Sequence, residues 1–147
     1  MYDERLIAPM REELTRIGVQ ELRTADAVDE TLREPGTTLV VVNSVCGCAA
    51  RNARPAIADA LRHAVRPDRA TTVFAGQDTD ATARARGWFT GYRPSSPAIA
   101  LMKDGEPVFM LERFQIEGRS ATDIARDLKD AFDQHCGNTD EAIGTPT

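Results

Sequence analysis

The absences in these 147 residues narrow the field first. No stretch approaches the roughly eighteen consecutive apolar residues that a membrane-crossing helix needs, so no membrane partner is expected. The opening residues, Met1-Tyr2-Asp3-Glu4-Arg5, lack the basic and then apolar regions of a secretory signal, and a cytoplasmic location is expected. Positive charge is short as well. The formal net charge is −5, which argues against a general nucleic-acid binder, since that would carry a basic face. Only two of the eighteen basic residues are lysines, Lys103 and Lys129. The arginines are spread along the chain and read as base composition rather than function. Cysteine is equally scarce, at three: Cys46, Cys48 and Cys136. Where thiols are kept reduced, three cysteines do not make a structural disulfide framework. They point to metal binding, catalysis or simple burial.

What is present suits one globular domain. The length is that of a single domain able to bury a core without staples, and no internal repeat interrupts it. Residues 4–17 carry Leu6, Ile7, Met10, Leu14 and Ile17 at helical spacing, closed by Gly18. Val19 to Leu22 fits a short strand. Thr24 fits the N-cap of a second helix that stops near Pro35-Gly36. The unbroken run Thr38-Leu39-Val40-Val41-Val42-Asn43 predicts a central strand buried on both faces. A helix over 49–65 follows, which Pro55 should kink. Strands are predicted at 70–75, 98–102 and 107–112, the last two joined by a turn at Asp104-Gly105. A helix over 79–89 precedes the loop Arg93-Pro94-Ser95-Ser96-Pro97, and Asp78 fits its cap. Ser120, with Asp123 three residues on, opens a final helix that runs to about Cys136. Residues 1–136 thus make one domain, and 137–147 are predicted to form a disordered tail. The pattern gives an α/β fold: a central mixed sheet with helices on both faces and an extra helix at the N-terminus.

The chemistry concentrates where a core strand hands over to a helix, at Asn43-Ser44-Val45-Cys46-Gly47-Cys48. Open α/β sheets place their sites at such carboxyl ends. A thiolate is the reactive form of cysteine, and the N–H groups of a helix N-terminus favour it. Cys46, nearest the strand end, is expected to be the attacking sulfur and Cys48 the resolving one. Two residues of extended chain put their Cα atoms about 6.6–7.2 Å apart, whereas a disulfide wants roughly 4.4–6.8 Å. The backbone between them must bend, and Gly47 permits that at little steric cost. Residual strain would make the bridge labile and relatively oxidising. A soft-metal site for zinc, copper or an iron–sulfur cluster is the rival reading. Zinc spacing is usually wider, and only Cys136, His135 and His63 could complete such a site. Acyl-transfer chemistry would want a positioned His, and nothing marks one. Ser44 and Asn43 could hydrogen-bond a sulfur or a substrate, or merely cap the strand end. Gln77 and Asp78 end the neighbouring strand and could rim the site. Trp88 and Phe89 fit core anchors. Cys136 falls at a helix end, where the dipole disfavours a thiolate, and is read as non-catalytic. His135 and His63 could each meet a helix C-terminus. Pro97 before a strand fits an ordinary trans turn or a cis bond.

Thr37 to Ala50, with Arg54-Pro55-Ala56, closely resembles the bacilliredoxin family. So do Val73 to Asp78, Phe89-Thr90-Gly91, Pro94 to Pro97, Ile116-Glu117-Gly118 and Phe132 to Cys136. The resemblance covers nearly all of residues 2–136. It implies a thioredoxin-like fold in which Cys-Gly-Cys replaces the usual Cys-x-x-Cys, and a cis Pro97 beside the sulfurs. It implies reduction of mixed disulfides between client proteins and bacillithiol, a low-molecular-weight thiol, with weak disulfide isomerase activity. Carried over by position, Cys46 attacks the mixed disulfide and retains bacillithiol, and Cys48 or a second bacillithiol releases it. No bound cofactor is implied: bacillithiol is a co-substrate, and bacillithiolated proteins are the partners. The sequence carries no signal for an oligomeric state.

Overall fold

A computed structural model describes residues 1–137. Five strands form one sheet: β1 (Gln20–Glu21), β2 (Thr37–Asn43), β3 (Arg69–Phe74), β4 (Ala98–Lys103) and β5 (Glu106–Leu111). Their spatial order is β1-β3-β2-β4-β5. β3 lies parallel to both β1 and β2, while β4 runs antiparallel to β2 and to β5. β2 is therefore central, and every one of its residues is buried. Period-two alternation sorts its side chains onto two faces. Leu39 and Val41 join Leu14 of α1 (Glu4–Thr15), Ile57 of α3 (Arg54–Ala60), and Ile124, Leu128 and Phe132 of α6 (Ala121–His135). Val40 and Val42 join Val28 of α2 (Ala25–Leu32) and Ala81 and Ala85 of α4 (Thr79–Trp88). Helices cover both faces, as the sequence predicts. Asp104 and Gly105 take the positive φ values of 51° and 83° that the β4–β5 turn demands. Pro107 sits on the edge strand β5, where a missing N–H does no harm.

Five local readings are corrected. In α1 the buried stripe is Ile7, Arg11 and Leu14, while Leu6 is 55% exposed. The Arg11 side chain goes inward because Glu4, Glu21 and Asp78 receive its guanidinium at 2.8–3.0 Å, over the ring of Phe74. That contact also occupies Asp78, whose side chain makes no capping bond to α4. The helix expected over 49–65 is shorter and begins irregularly. Ala49–Ala53 form a π turn, and α3 runs only from Arg54 to Ala60. An α-helical Pro55 would press its ring on the carbonyl of Arg51 and leave that carbonyl unbonded. The wider turn instead has the Arg54 N–H donating to Ala49, so Pro55 falls in the first turn of α3 without a donor to lose. His63 consequently lies beyond the helix, and its ring pairs with Asp133 of α6 at 2.9 Å. Finally, a four-residue helix not predicted from sequence, α5 (Arg113–Ile116), follows β5. The tail expected over 137–147 lies, apart from Gly137, outside the described residues. Among the described residues no helix is long and apolar enough to cross a membrane.

Candidate active site

Sheet register decides which loops meet. Val42 stands opposite Ala98, and Ile99 opposite Leu111. The chain leaving β2 toward Cys46, the chain entering β4 from Pro97, and the chain leaving β5 toward Arg113 therefore share one end of the sheet. The Ser96–Pro97 bond there is cis. Arg113 fastens the proline loop: its backbone N–H donates to Ser95 Oγ at 2.7 Å and its guanidinium to the Ser96 carbonyl at 3.4 Å.

The cysteines open the helix that follows β2. The N–H groups of Ala49 and Ala50 both donate to the Cys46 carbonyl, at 3.0 and 3.3 Å, so the helical turn begins at Cys46. Gly47 and Cys48 are already helical. Helical geometry at Gly47 brings the flanking Cα atoms to about 5.4 Å, inside the range a disulfide accepts. The bend expected of Gly47 is present, but it needs no glycine conformation, since Gly47 is not among the positive-φ residues. A Cβ there would lie 2.8 Å from a guanidinium nitrogen of Arg51, the far end of an exposed side chain that would have to swing aside. The two sulfurs are half-buried and 2.7 Å apart.

Their surroundings drive them in opposite directions. Burial would raise the Cys46 thiol, but hydrogen bonds from Cys48, Ser44 and the N–H groups of Ala49 and Cys48 outweigh it and hold its pKa below the ordinary value. Burial raises Cys48, and the hydrogen bond to Cys46 and the Cys46 charge raise it further. Arg113 opposes this only in part.

Ser44 and Asn43 belong to a network that braces this loop. Ser44 Oγ accepts from the Cys46 N–H at 3.0 Å, and Asn43 Oδ1 accepts from the Ser44 N–H at 2.9 Å. The network centres on Arg54, which sequence reasoning did not single out as functional. Arg54 is 3% exposed. Its guanidinium donates to Asn43 Oδ1 at 2.9 Å, to the Ser44 carbonyl at 3.0 Å and to Glu13 of α1 at 2.9 Å. The only local signal is a charged residue on the inward face of a helix, three positions before Ile57. Gln77 lies at the same sheet end but turns to α1, bonding the backbone of Tyr2 and the carboxylate of Glu4. Trp88 and Phe89 pack into the core, with the indole N–H donating to Asp29 at 3.0 Å. Cys136 is 1% exposed and meets Thr37, at the opposite end of β2. Six residue steps at about 3.3 Å separate Thr37 from Asn43, roughly 20 Å. Among the described residues, no three His, Cys, Asp or Glu side chains gather into a metal-binding group, so neither Cys136, His135 nor His63 completes the pair.

Comparison with known proteins agrees with this geometry. Residues 2–136 match the family model described as disulphide isomerase. A bacilliredoxin of Koribacter versatilis is 59% identical over 140 residues, covering 95% of this chain and 97% of that one. The chain belongs to the bacilliredoxin family. A second bacilliredoxin, from Salinibacter ruber, is 52% identical over 151 residues, covering 99% of this chain and 88% of that one. One from Staphylococcus haemolyticus is 49% identical over 136 residues, covering 92% and 94%. Among solved structures, Fasciola hepatica thioredoxin superposes with a TM-score of 0.56 at 18% identity, covering 80% of this chain and 99% of that one. Malassezia sympodialis thioredoxin gives 0.54 at 17% identity, covering 80% and 90%. The fold is thioredoxin-like, and this bacilliredoxin is a thiol–disulfide oxidoreductase.

Proposed function

We propose that the protein reduces mixed disulfides between cytoplasmic proteins and bacillithiol, with Cys46 attacking and Cys48 resolving. The observation that carries this assignment is the opposite bias of two sulfurs 2.7 Å apart, Cys46 toward thiolate and Cys48 toward thiol. In the first step the Cys46 thiolate attacks the bacillithiol sulfur of the mixed disulfide. A bond forms between these two sulfurs, the bond to the client sulfur breaks, and the client leaves as a thiolate that takes a proton from water. Cys46 is oxidised and the client cysteine reduced, so no outside reductant enters this step.

Capping Cys46 removes its charge and its thiolate hydrogen bond, two of the three largest influences that hold Cys48 protonated. Cys48 then loses its proton more easily and attacks Cys46. The Cys46–Cys48 disulfide forms and bacillithiol departs. A second bacillithiol thiolate can instead attack the bacillithiol sulfur of the adduct, so that the bond to Cys46 breaks, oxidised bacillithiol leaves and Cys46 departs as the free thiolate. The same pair, meeting a protein disulfide, supports weak isomerase activity by reversible exchange.

The test uses a client protein carrying bacillithiol on one cysteine. Cys46→Ser should abolish release of bacillithiol. Cys48→Ser should trap a bacillithiol adduct on Cys46, visible by peptide mass spectrometry. Undiminished turnover by Cys46→Ser, or a trapped adduct on the other sulfur in Cys46→Ser, would reject the assigned roles.

A further inference from the structure

Arg51 stands beside Gly47 of the motif. Its side chain is exposed and makes no hydrogen bond or ion pair among the described residues. Helical side chains lean toward the N-terminus of their helix, so a residue four positions after Gly47 falls on Gly47 itself. The fit is close: both terminal nitrogens and Cζ of Arg51 lie 2.8–3.1 Å from where a Gly47 Cβ would be. A guanidinium therefore flanks the residue between the two sulfurs. A second cation, Arg113, is in electrostatic reach of both sulfurs from the proline-loop side. It shares its charge with Glu117 at 3.0 Å. Among the described residues Arg51 has no such carboxylate, and the protein as a whole is anionic, with a net charge of −5. An exposed guanidinium beside Gly47, with no carboxylate on it among the described residues, is open to an anion from outside.

We propose that Arg51 is a specificity-determining residue that receives a carboxylate on the small thiol of a mixed disulfide. This rests on the reading of the protein as a remover of small thiols and adds the class it takes: low-molecular-weight thiols bearing carboxylates. A mixed disulfide offers Cys46 two sulfurs. Attack on the small thiol's sulfur frees the client, whereas attack on the client's sulfur leaves the client bound to Cys46. An anionic group held by Arg51 seats the small thiol over the motif and directs Cys46 to the first of these. Electrons and atoms balance as in the exchange above, because only the identity of the attacked sulfur is decided.

The experiment uses one client protein capped in turn with mercaptosuccinate (two carboxylates), mercaptoethanol (neutral) and cysteamine (cationic). The readout is the ratio of uncapping rates between caps, which cancels general damage to the enzyme. Wild-type protein should favour mercaptosuccinate over mercaptoethanol by about fivefold, the scale of one exposed ion pair. Arg51→Met should bring that ratio close to its value in uncatalysed exchange, and Arg51→Lys should keep part of the preference. In a Cys48→Ser background, Arg51→Met should also raise the share of client, rather than mercaptosuccinate, trapped on Cys46. A ratio unchanged in Arg51→Met overturns the proposal, as does equal slowing on all three caps. Wild-type protein that uncaps a bacillithiolated client but shows no preference for mercaptosuccinate among the three caps overturns the proposal alone, whereas wild-type protein that leaves the bacillithiolated client capped as well rejects the underlying function instead.

Discussion

β2 carries a cysteine environment at each of its ends, and the two are unlike. At the carboxyl end, Cys46 and Cys48 are half-buried at the start of a helix, with backbone N–H groups facing the sulfur of Cys46. At the amino end, Cys136 caps the finish of α6 and is shut inside the core beside Thr37. Burial raises the Cys136 thiol, the Thr37 hydrogen bond offsets this only partly, and Asp68 and Asp133 push the same way as burial. One residue type becomes a nucleophile or a packing element according to which end of a helix it meets and how much water reaches it. Fold topology, more than sequence neighbourhood, sets both conditions.

The largest contrast between the ends should appear in turnover. Cys46→Ser removes the attacking sulfur and should lower uncapping of a thiolated client by at least about a thousandfold. Cys136→Ala should leave turnover within about twofold and cost about 1 kcal/mol of stability, read from urea unfolding of the reduced protein. Comparable losses of turnover in the two variants would dissolve the distinction.

A smaller effect tests the cause. Alkylation of Cys46 in the native reduced protein should follow a pH midpoint below the ordinary thiol value, because its folded pKa is depressed. The corresponding contribution to stability is present above the unfolded pKa and is lost as pH falls through the folded one. Cys48→Ala removes a hydrogen bond that favours the thiolate, so it should move the Cys46 midpoint upward. Cys136 should stay unmodified until denaturant is added. A Cys46 midpoint at or above that of the denatured chain would contradict the contrast.

Much of this is legible in the sequence, and the failures have two sources. The Leu39–Val42 run, the Asp104-Gly105 turn and the Ser120 cap are local signals, and each forms as read. Cys46 and Cys48 were legible because chemistry and position coincide in three residues. Arg11, Arg54 and Asp78 were misjudged or passed over because their burial depends on partners distant in sequence. Arg11 meets Asp78, and Arg54 meets Glu13. Periodicity counts a charged residue as solvent-facing, and only tertiary contact supplies the carboxylate that lets it turn inward. The π turn was missed because Pro55 announces a break without saying how the backbone will absorb it.

A further test concerns that buried cation. Arg54→Met should leave the Ser44 carbonyl without its Arg54 donor, at about 1–3 kcal/mol, and leave Asn43 Oδ1 with the Ser44 N–H alone. The loop holding the Cys46 N–H against Ser44 should loosen, lowering turnover about tenfold and raising the Cys46 alkylation midpoint. Arg54→Lys should recover part of both. A loss of stability with an unmoved midpoint would make Arg54 a matter of packing alone.

The N-terminal helix has a bearing on how small this enzyme could be made. α1 contributes little to the sheet, yet the Met10 carbonyl accepts from Asn43 Nδ2 at 3.3 Å, and Glu13 supplies the only carboxylate paired with Arg54 among the described residues. A chain trimmed to begin at Gly18 would keep all five strands while exposing a guanidinium meant for the interior, directly behind the reactive loop. Shortening the protein from that end would thus blunt its chemistry before it dissolved its architecture.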